Sequence, residues 1–158
     1  GLSRLARAYN VAAPGNGKAL VEGVAPAALY PPKRFFGAAR ALEESGSLTV
    51  IATAAVETGW HLDEMILESL QGTSNSLVRL DRRAADRRVY PAIDVVASCT
   101  RELQKLAGEQ RALGGQAIAD ALVEMEEGAR GAAIDWVLEQ MKVTRSNTEI
   151  LEQLARRS

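Results

Sequence analysis

The run that decides the fold class is residues 47–56, which read Ser-Leu-Thr-Val-Ile-Ala-Thr-Ala-Ala-Val. It is almost continuously apolar and rich in β-branched side chains, which is typical of a strand covered on both faces. An amphipathic helix pattern follows over residues 62–70, and a short strand is predicted over 76–80. The order strand, helix, strand favours a right-handed crossover. The sequence therefore predicts an α/β protein with a mostly parallel sheet.

Helical patterns flank this predicted core. Apolar residues at positions 2, 5, 6 and 9 predict a first helix, and a second is predicted from about residue 31 to a stop at Ser45-Gly46. Beyond residue 101 the apolar stripes are helical throughout, with a break allowed at Gly114-Gly115. The stretch Ser146-Asn147-Thr148-Glu149 predicts a capping box before the last helix.

Composition limits the kind of protein. The chain has 158 residues, of which 47% are hydrophobic and 25% charged, enough for one core of ordinary size. Its 19 basic and 20 acidic residues nearly cancel, so any contact with RNA or a nucleotide has to be local. A single cysteine excludes an internal disulfide, and one histidine argues against a histidine-based zinc site, so no metal site is predicted. The cysteine usage favours a reducing cytoplasm. No apolar run approaches the roughly 18 residues of a membrane span, so no membrane partner is expected.

The loop ending in Gly17-Lys18 invites comparison with a phosphate-binding loop. The pattern GxxxxGK[ST] requires glycine at position 12 and a hydroxyl at position 19, and both positions are alanine. The phosphate-loop interpretation therefore fails. What remains is a loop that presents Lys18, either as a plain turn or as a contact to a backbone phosphate.

Residues 88–101 read Arg-Val-Tyr-Pro-Ala-Ile-Asp-Val-Val-Ala-Ser-Cys-Thr-Arg. An aromatic face can stack on a purine, and a guanidinium at the end of a strand can stabilise charge on a transferring phosphoryl group. The segment thus favours nucleotide handling at a subunit boundary. The alternative is an ordinary surface strand flanked by solvated arginines, and the arginine-rich stretch 79–88 also suits a solvated helix face.

Together these segments resemble the bacterial transcription termination factor Rho family, specifically the C-terminal part of its RecA-like ATPase domain. The blocks that carry the resemblance are Leu-Ala-Arg-Ala-Tyr-Asn at 5–10, Pro-Lys-Arg-Phe-Phe-Gly-Ala-Ala-Arg at 32–40, Gly-Ser-Leu-Thr-Val-Ile-Ala-Thr-Ala at 46–54, Gly-Thr at 72–73 and Arg-Val-Tyr-Pro-Ala-Ile-Asp at 88–94. The resemblance is nearly continuous over 1–101 and returns over 132–158, while 102–131 is rewritten. It implies a partial RecA-like P-loop ATPase core over 1–101 and a helical C-terminal subdomain over 102–158.

The resemblance implies a homo-hexameric, RNA-dependent ATPase and helicase that translocates along nascent transcripts and releases RNA polymerase, with ATP and Mg²⁺ in the complete assembly. Arg101 matches the arginine finger that reaches ATP held by the adjacent subunit, and Arg88 matches a second arginine at that interface. Tyr90 matches the aromatic position that packs on adenine, usually phenylalanine. Lys18 matches a loop that contacts RNA in the central channel.

A second channel loop of the family matches residues 57–61, and RNA contact there would involve Thr58, Gly59 and His61. Where the family usually has a lysine, this chain has His61, a poorer phosphate partner near pH 7.

The family's Walker A loop, Walker B acid and N-terminal RNA-binding domain correspond to positions before Gly1. We therefore expect no ATP binding or hydrolysis by this chain alone. Two hypotheses follow: a segment of the motor enzyme, or a non-catalytic module that joins or inhibits intact hexamers. Another RecA-like ATPase, such as a rotary ATP synthase subunit, ranks lower because it does not explain the block at 32–40.

Overall fold

A computed structural model describes residues 1–12 and 25–155. The chain divides into two compact units, Gly1–Ser74 and Asn75–Ser158. The predicted α/β class is confirmed, because both units combine helices with a small sheet. No helix within the described ranges is both long and apolar enough to cross a membrane.

The first unit contains three helices and a short hairpin. In chain order its elements are α1 (Leu2–Ala12), α2 (Pro26–Phe36), β1 (Arg40–Ala41), β2 (Ser47–Leu48) and α3 (His61–Gln71). The three helices pack through a small apolar core made of Leu2, Ala6, Ala25, Ala28, Ile66 and Leu70. The predicted helices at the start of the chain and over 62–70 are therefore confirmed, and their apolar stripes supply this core.

The long strand predicted over residues 47–56 is wrong. Only Ser47–Leu48 is strand, and it pairs antiparallel with Arg40–Ala41. The following residues are tied to α1 instead, through Leu2 N–H to Thr53 O at 2.7 Å and Ala55 N–H to Ser3 Oγ at 2.8 Å. A run of β-branched residues favours an extended and buried backbone, but a strand also needs a partner strand to pair with. No strand pairs with residues 49–56 in the described part of the chain. Ile51 is consequently 93% exposed.

The second predicted helix is displaced. It begins at Pro26, since proline is favoured in the first turn, and it ends at Phe36, where Gly37 N–H donates to Lys33 O at 2.8 Å. Beyond it the chain turns into the β1–β2 hairpin, with Gly46 at φ +81°. The alanines after Gly37 favour helix only weakly, and the glycine stop and the turn override them.

The second unit begins with an antiparallel pair of strands. Its elements are β3 (Ser76–Leu80), α4 (Arg82–Asp86), β4 (Ile93–Thr100), α5 (Leu103–Ala107), α6 (Glu109–Gly128), α7 (Ala132–Val143) and α8 (Asn147–Ala155). The strand over 76–80 is confirmed. The crossover predicted from residues 47–56 through the helix at 62–70 to this strand is wrong for the described residues, because β2 and β3 belong to different sheets. The mostly parallel sheet is not found there either, since β3 and β4 pair antiparallel.

The helices after β4 follow the predicted pattern except at Gly114-Gly115. α6 continues through both glycines, and the chain bends earlier, at Gly108 with φ +83°. A Cβ on Gly114 would lie 2.6 Å from Leu151 Cδ2, so the missing side chain allows α8 to approach α6 closely. The capping box is confirmed in one half, with Ser146 Oγ accepting from Glu149 N–H at 3.3 Å, whereas Glu149 Oε2 accepts from Arg145 N–H at 2.9 Å. The domain boundary after Arg101 stays a prediction.

Candidate functional site

Arg101 lies immediately after β4, and its side chain is exposed. Its backbone N–H donates to Asn75 O at 2.8 Å, so the residue is tied to the start of β3. Beside it, the hydroxyls of Ser76 and Thr100 lie 3.3 Å apart. The next residue, Glu102, has φ +52°, and the chain turns there into α5. The backbone of the exposed Arg101 is therefore fixed at one end of the strand pair.

Arg88 occupies the position after α4 where helices usually place glycine. Its φ is +61°, in the left-handed region. Arg88 N–H donates to Ala85 O and Val89 N–H to Ala84 O, both at 2.9 Å, which is the pair of bonds of a Schellman motif. A side chain in this conformation costs about 1 kcal/mol relative to glycine. The exposed Arg88 therefore makes this position less stable than glycine would.

Tyr90 lies two residues later in the same β3–β4 connection and is 66% exposed. The peptide bond between Tyr90 and Pro91 is cis. Asp81 N–H donates to Ala92 O at 2.9 Å and closes the connection at the end of the strands. The structure therefore brings Arg88 and Tyr90 into one connection, with a guanidinium and an aromatic ring both at the surface.

A bulge in β4 sets the spacing between this connection and Arg101. The five residues of β3 face the eight of β4, with Leu80 opposite Ile93 and Ser76 opposite Thr100. Asp94 Oδ1 accepts from Ala97 N–H at 2.8 Å, and Ser98 Oγ donates to Asp94 O at 2.6 Å, which holds the extra residues. The two ends of β4 therefore lie only four β3 steps apart, about 13 Å.

The loop at residues 57–61 is held by Asp63, which is fully buried. Thr58 Oγ1 donates to Asp63 Oδ2 at 2.7 Å and accepts from Trp60 N–H at 3.3 Å. Gly59 adopts φ +75°, and Gly59 and His61 are exposed. Three of the predicted RNA-contact residues thus share one ordered loop, and the hydroxyl of Thr58 is engaged in holding it.

Arg7 of α1 completes this anchor. Its Nε donates to Asp63 Oδ1 at 2.9 Å and its Nη2 to Asp63 Oδ2. Burial by itself would raise the pKa of Asp63, but the hydrogen bond from Thr58 and the hydrogen bonds and charge of Arg7 outweigh it. The pKa of Asp63 therefore lies below its ordinary value, and the carboxylate is charged at neutral pH.

Sequence reasoning missed two residues of this loop region. The guanidinium of Arg7 lies over the ring of Trp60, 5.0 Å from the ring centroid, and Trp60 as a residue is 61% exposed. An aromatic residue directly after Thr-Gly was the available signal for Trp60. Nothing in the local sequence links Arg7 to the loop.

The last predicted contact, Lys18, lies in residues 13–24, outside the described residues. Within the described ranges, no three histidine, cysteine or acidic residues are grouped so that they could hold a metal ion. The side chains with the chemistry that fits adenine and phosphate are Tyr90, Arg88 and Arg101.

These features define an α/β protein that presents arginine and aromatic side chains from fixed backbone positions. No family model matches the sequence. Whole-sequence comparison finds transcription termination factor Rho of Streptomyces lividans, 47% identical over 153 residues, covering 97% of this chain and 21% of the relative. Rho of Micrococcus luteus is 46% identical over 150 residues, covering 95% and 21%. Rho of Pseudomonas fluorescens biotype C is 45% identical over 156 residues, covering 99% and 36%.

The resemblance inferred from the sequence is therefore confirmed, since each of these relatives is named transcription termination factor Rho and matches almost the whole chain. It spans between about a fifth and somewhat over a third of the length of these relatives. The match covers the segment 102–131 as well, since the alignments extend over almost the whole chain.

Proposed function

We propose that this chain is a segment of an ATP-dependent, RNA-translocating hexameric helicase that terminates transcription in the cytoplasm by acting on nascent RNA and RNA polymerase. In this proposal the chain supplies an arginine finger and an RNA-channel loop. The similarity to proteins named transcription termination factor Rho supports the role. The exposure of Arg101 on a fixed backbone is the single observation that carries the catalytic part.

Arg101 is the proposed finger. A finger has to project from its own subunit and hold its position without a ligand, since catalysis by charge requires preorganised groups. The hydrogen bond from Arg101 N–H to Asn75 O fixes the backbone of the finger, and Arg101 is exposed to a neighbouring subunit's ligand. Fingers of this kind contribute roughly 10³ to 10⁵ in hydrolysis rate.

Arg88 and Tyr90 are proposed to contact nucleotide at the other end of β4. Tyr90 would pack on adenine through its exposed ring, and Arg88 would contact phosphate. The left-handed backbone at Arg88 supports this role. Glycine would fit that backbone without loss of stability, so an arginine there is explained by a ligand that its side chain contacts. Because of the bulge, the two ends of β4 lie about 13 Å apart, measured along β3, and the connection that carries Arg88 and Tyr90 precedes the end opposite the finger.

RNA is proposed to contact Lys18 and the loop that contains Thr58, Gly59 and His61. The anchor on Asp63 supports this for the second loop, because it fixes the loop before any ligand binds. ATP and Mg²⁺ belong to the complete assembly. The chain alone is expected not to hydrolyse ATP, since its Gly17-Lys18 loop lacks the remaining residues of a phosphate loop.

The test mixes the purified chain with a full-length Rho and follows RNA-stimulated ATP hydrolysis. The proposal expects the chain to raise the rate by completing a neighbour's site, and expects Arg101→Ala to abolish that rise. A chain that lowers the rate regardless of residue 101 would favour the alternative, an inhibitory interaction module. Hydrolysis by the chain alone would contradict the proposal.

A further inference from the structure

We propose that the indole ring of Trp60 is a stacking platform for a base of single-stranded RNA. The inference rests on the proposed function, because it assumes that the loop at residues 57–61 meets RNA. It adds a residue that the resemblance does not supply, and it specifies the kind of contact as base stacking.

The ring is held in place from one side. Arg7 Cζ lies 5.0 Å from the centroid of the Trp60 ring, within the range of a cation–π contact. The position of the guanidinium is fixed, because it also donates to both oxygens of the buried Asp63 carboxylate. Trp60 nevertheless remains 61% exposed as a residue. An aromatic surface with a fixed partner on one face is therefore open to a ligand.

The backbone that carries the ring is fixed by the same carboxylate. Thr58 Oγ1 joins Asp63 Oδ2 to the Trp60 N–H, with distances of 2.7 and 3.3 Å. The loop and the ring therefore share one buried anchor. Such preorganisation lowers the entropy lost when a base binds.

The charges beside the ring favour a base contact over a phosphate contact. Arg7 is paired with Asp63, and His61 Nδ1 lies 3.6 Å from Glu64 Oε2. In both pairs the positively charged or basic group faces a carboxylate, so the two pairs attract phosphate only weakly. Stacking of a base on an aromatic ring requires no positive charge. In place of the lysine usual in the family, this loop offers an indole and a histidine, so its RNA contact shifts from the backbone to a base.

The test uses the fluorescence of Trp60. The chain has two tryptophans, so Trp136→Phe leaves Trp60 as the only reporter. A single-stranded oligoribonucleotide is titrated against this variant, and an abasic oligomer of the same length and charge serves as the control. Binding is measured independently through the anisotropy of a labelled oligomer. Circular dichroism checks that each variant is folded.

The base-containing oligomer is expected to quench Trp60, and the abasic oligomer is not. Trp60→Ala should weaken oligomer binding by about 5- to 150-fold, the range observed when one stacked base is lost. Trp60→Phe should retain most of the affinity. The dependence of affinity on salt should be the same for the parent and for Trp60→Ala, since no phosphate contact is removed.

Three results would overturn the inference in different ways. Oligomer binding that Trp60→Ala leaves intact would exclude stacking and leave RNA contact by the chain standing. No binding of either oligomer would contradict both stacking and the RNA contact, while the finger would still be judged from ATP hydrolysis. Loss of self-association instead of RNA binding in Trp60→Ala would assign the ring to a second copy of the chain.

Discussion

Arg7 and Asp63 lie 56 positions apart in the sequence and form a two-point ion pair that joins α1 to the first turn of α3. Asp63 is fully buried, and the Arg7 side chain is 37% exposed. Through Thr58 and Trp60 the same pair fixes the loop at residues 57–61. The order of that loop therefore depends on one buried carboxylate.

Asp63→Asn should destabilise the chain by about 1–3 kcal/mol, because it removes a charged acceptor that bonds three donor groups of Arg7 and Thr58. Urea unfolding measures the change. Glu64→Gln is the matched control, since Glu64 is an exposed acid of the same turn and its replacement should stay within about 0.5 kcal/mol. Equal effects of the two substitutions would show that the Asp63 anchor does not stabilise the fold.

The pH dependence of stability should carry the signature of Asp63. Its pKa in the folded chain lies below the ordinary value of 3.8, so the unfolded chain binds a proton more readily. The stabilisation is therefore complete above about pH 5 and is lost as the pH falls through the ordinary value towards the folded one. The difference in unfolding free energy between the parent and Asp63→Asn should shrink over that interval. A difference that stays constant down to pH 3 would contradict this assignment.

Arg88→Gly separates stability from function at the end of α4. Glycine suits the left-handed backbone, so stability should stay the same or rise by up to about 1 kcal/mol. The contribution of the chain to ATP hydrolysis with full-length Rho should fall. Arg82→Ala removes a charge from the same short helix and should leave hydrolysis unchanged. If Arg88→Gly keeps full hydrolysis, the arginine is only a solvated side chain.

Gly131→Ala should destabilise the second unit by about 1–3 kcal/mol. Gly131 has φ +83°, and a Cβ there would lie 1.9 Å from Nη1 of Arg87. The same guanidinium is held by an ion pair, with Arg87 Nη2 2.6 Å from Asp135 Oδ2. Gly128→Ala is the control, because its added Cβ would meet nothing within 4 Å. Thermal unfolding of the two variants measures the difference. Equal melting temperatures would contradict it.

Local patterns were sufficient for several elements of the fold. The short strand predicted over residues 76–80 is β3, and the apolar stripe over 62–70 predicted α3, because both signals come from neighbouring residues. The sheet was not predictable in the same way. The run at residues 47–56 encodes a conformational preference, but pairing depends on which strand lies beside it, and that is a property of the whole fold.

The candidate site likewise contains residues that local sequence could predict and residues that only the folded chain brings together. Arg88, Tyr90 and Arg101 could be named from their places around a predicted strand and from the family resemblance. The anchor of the other loop could not, since Arg7 and Asp63 meet only after α1 and α3 have packed. The bulge in β4 also escaped prediction, because it rests on the register with β3 and on bonds made by Asp94 and Ser98.

The most direct measurement of the proposed finger is rescue of a deficient hexamer. A full-length Rho is prepared with alanine at the arginine that the resemblance matches to Arg101, and RNA-stimulated ATP hydrolysis is measured with and without this chain. The parent chain should restore hydrolysis well above the background of the deficient hexamer, and neither Arg101→Ala nor Arg101→Lys should restore it fully. Equal rates with the parent chain and with Arg101→Ala would contradict a guanidinium that acts on a neighbour's ATP.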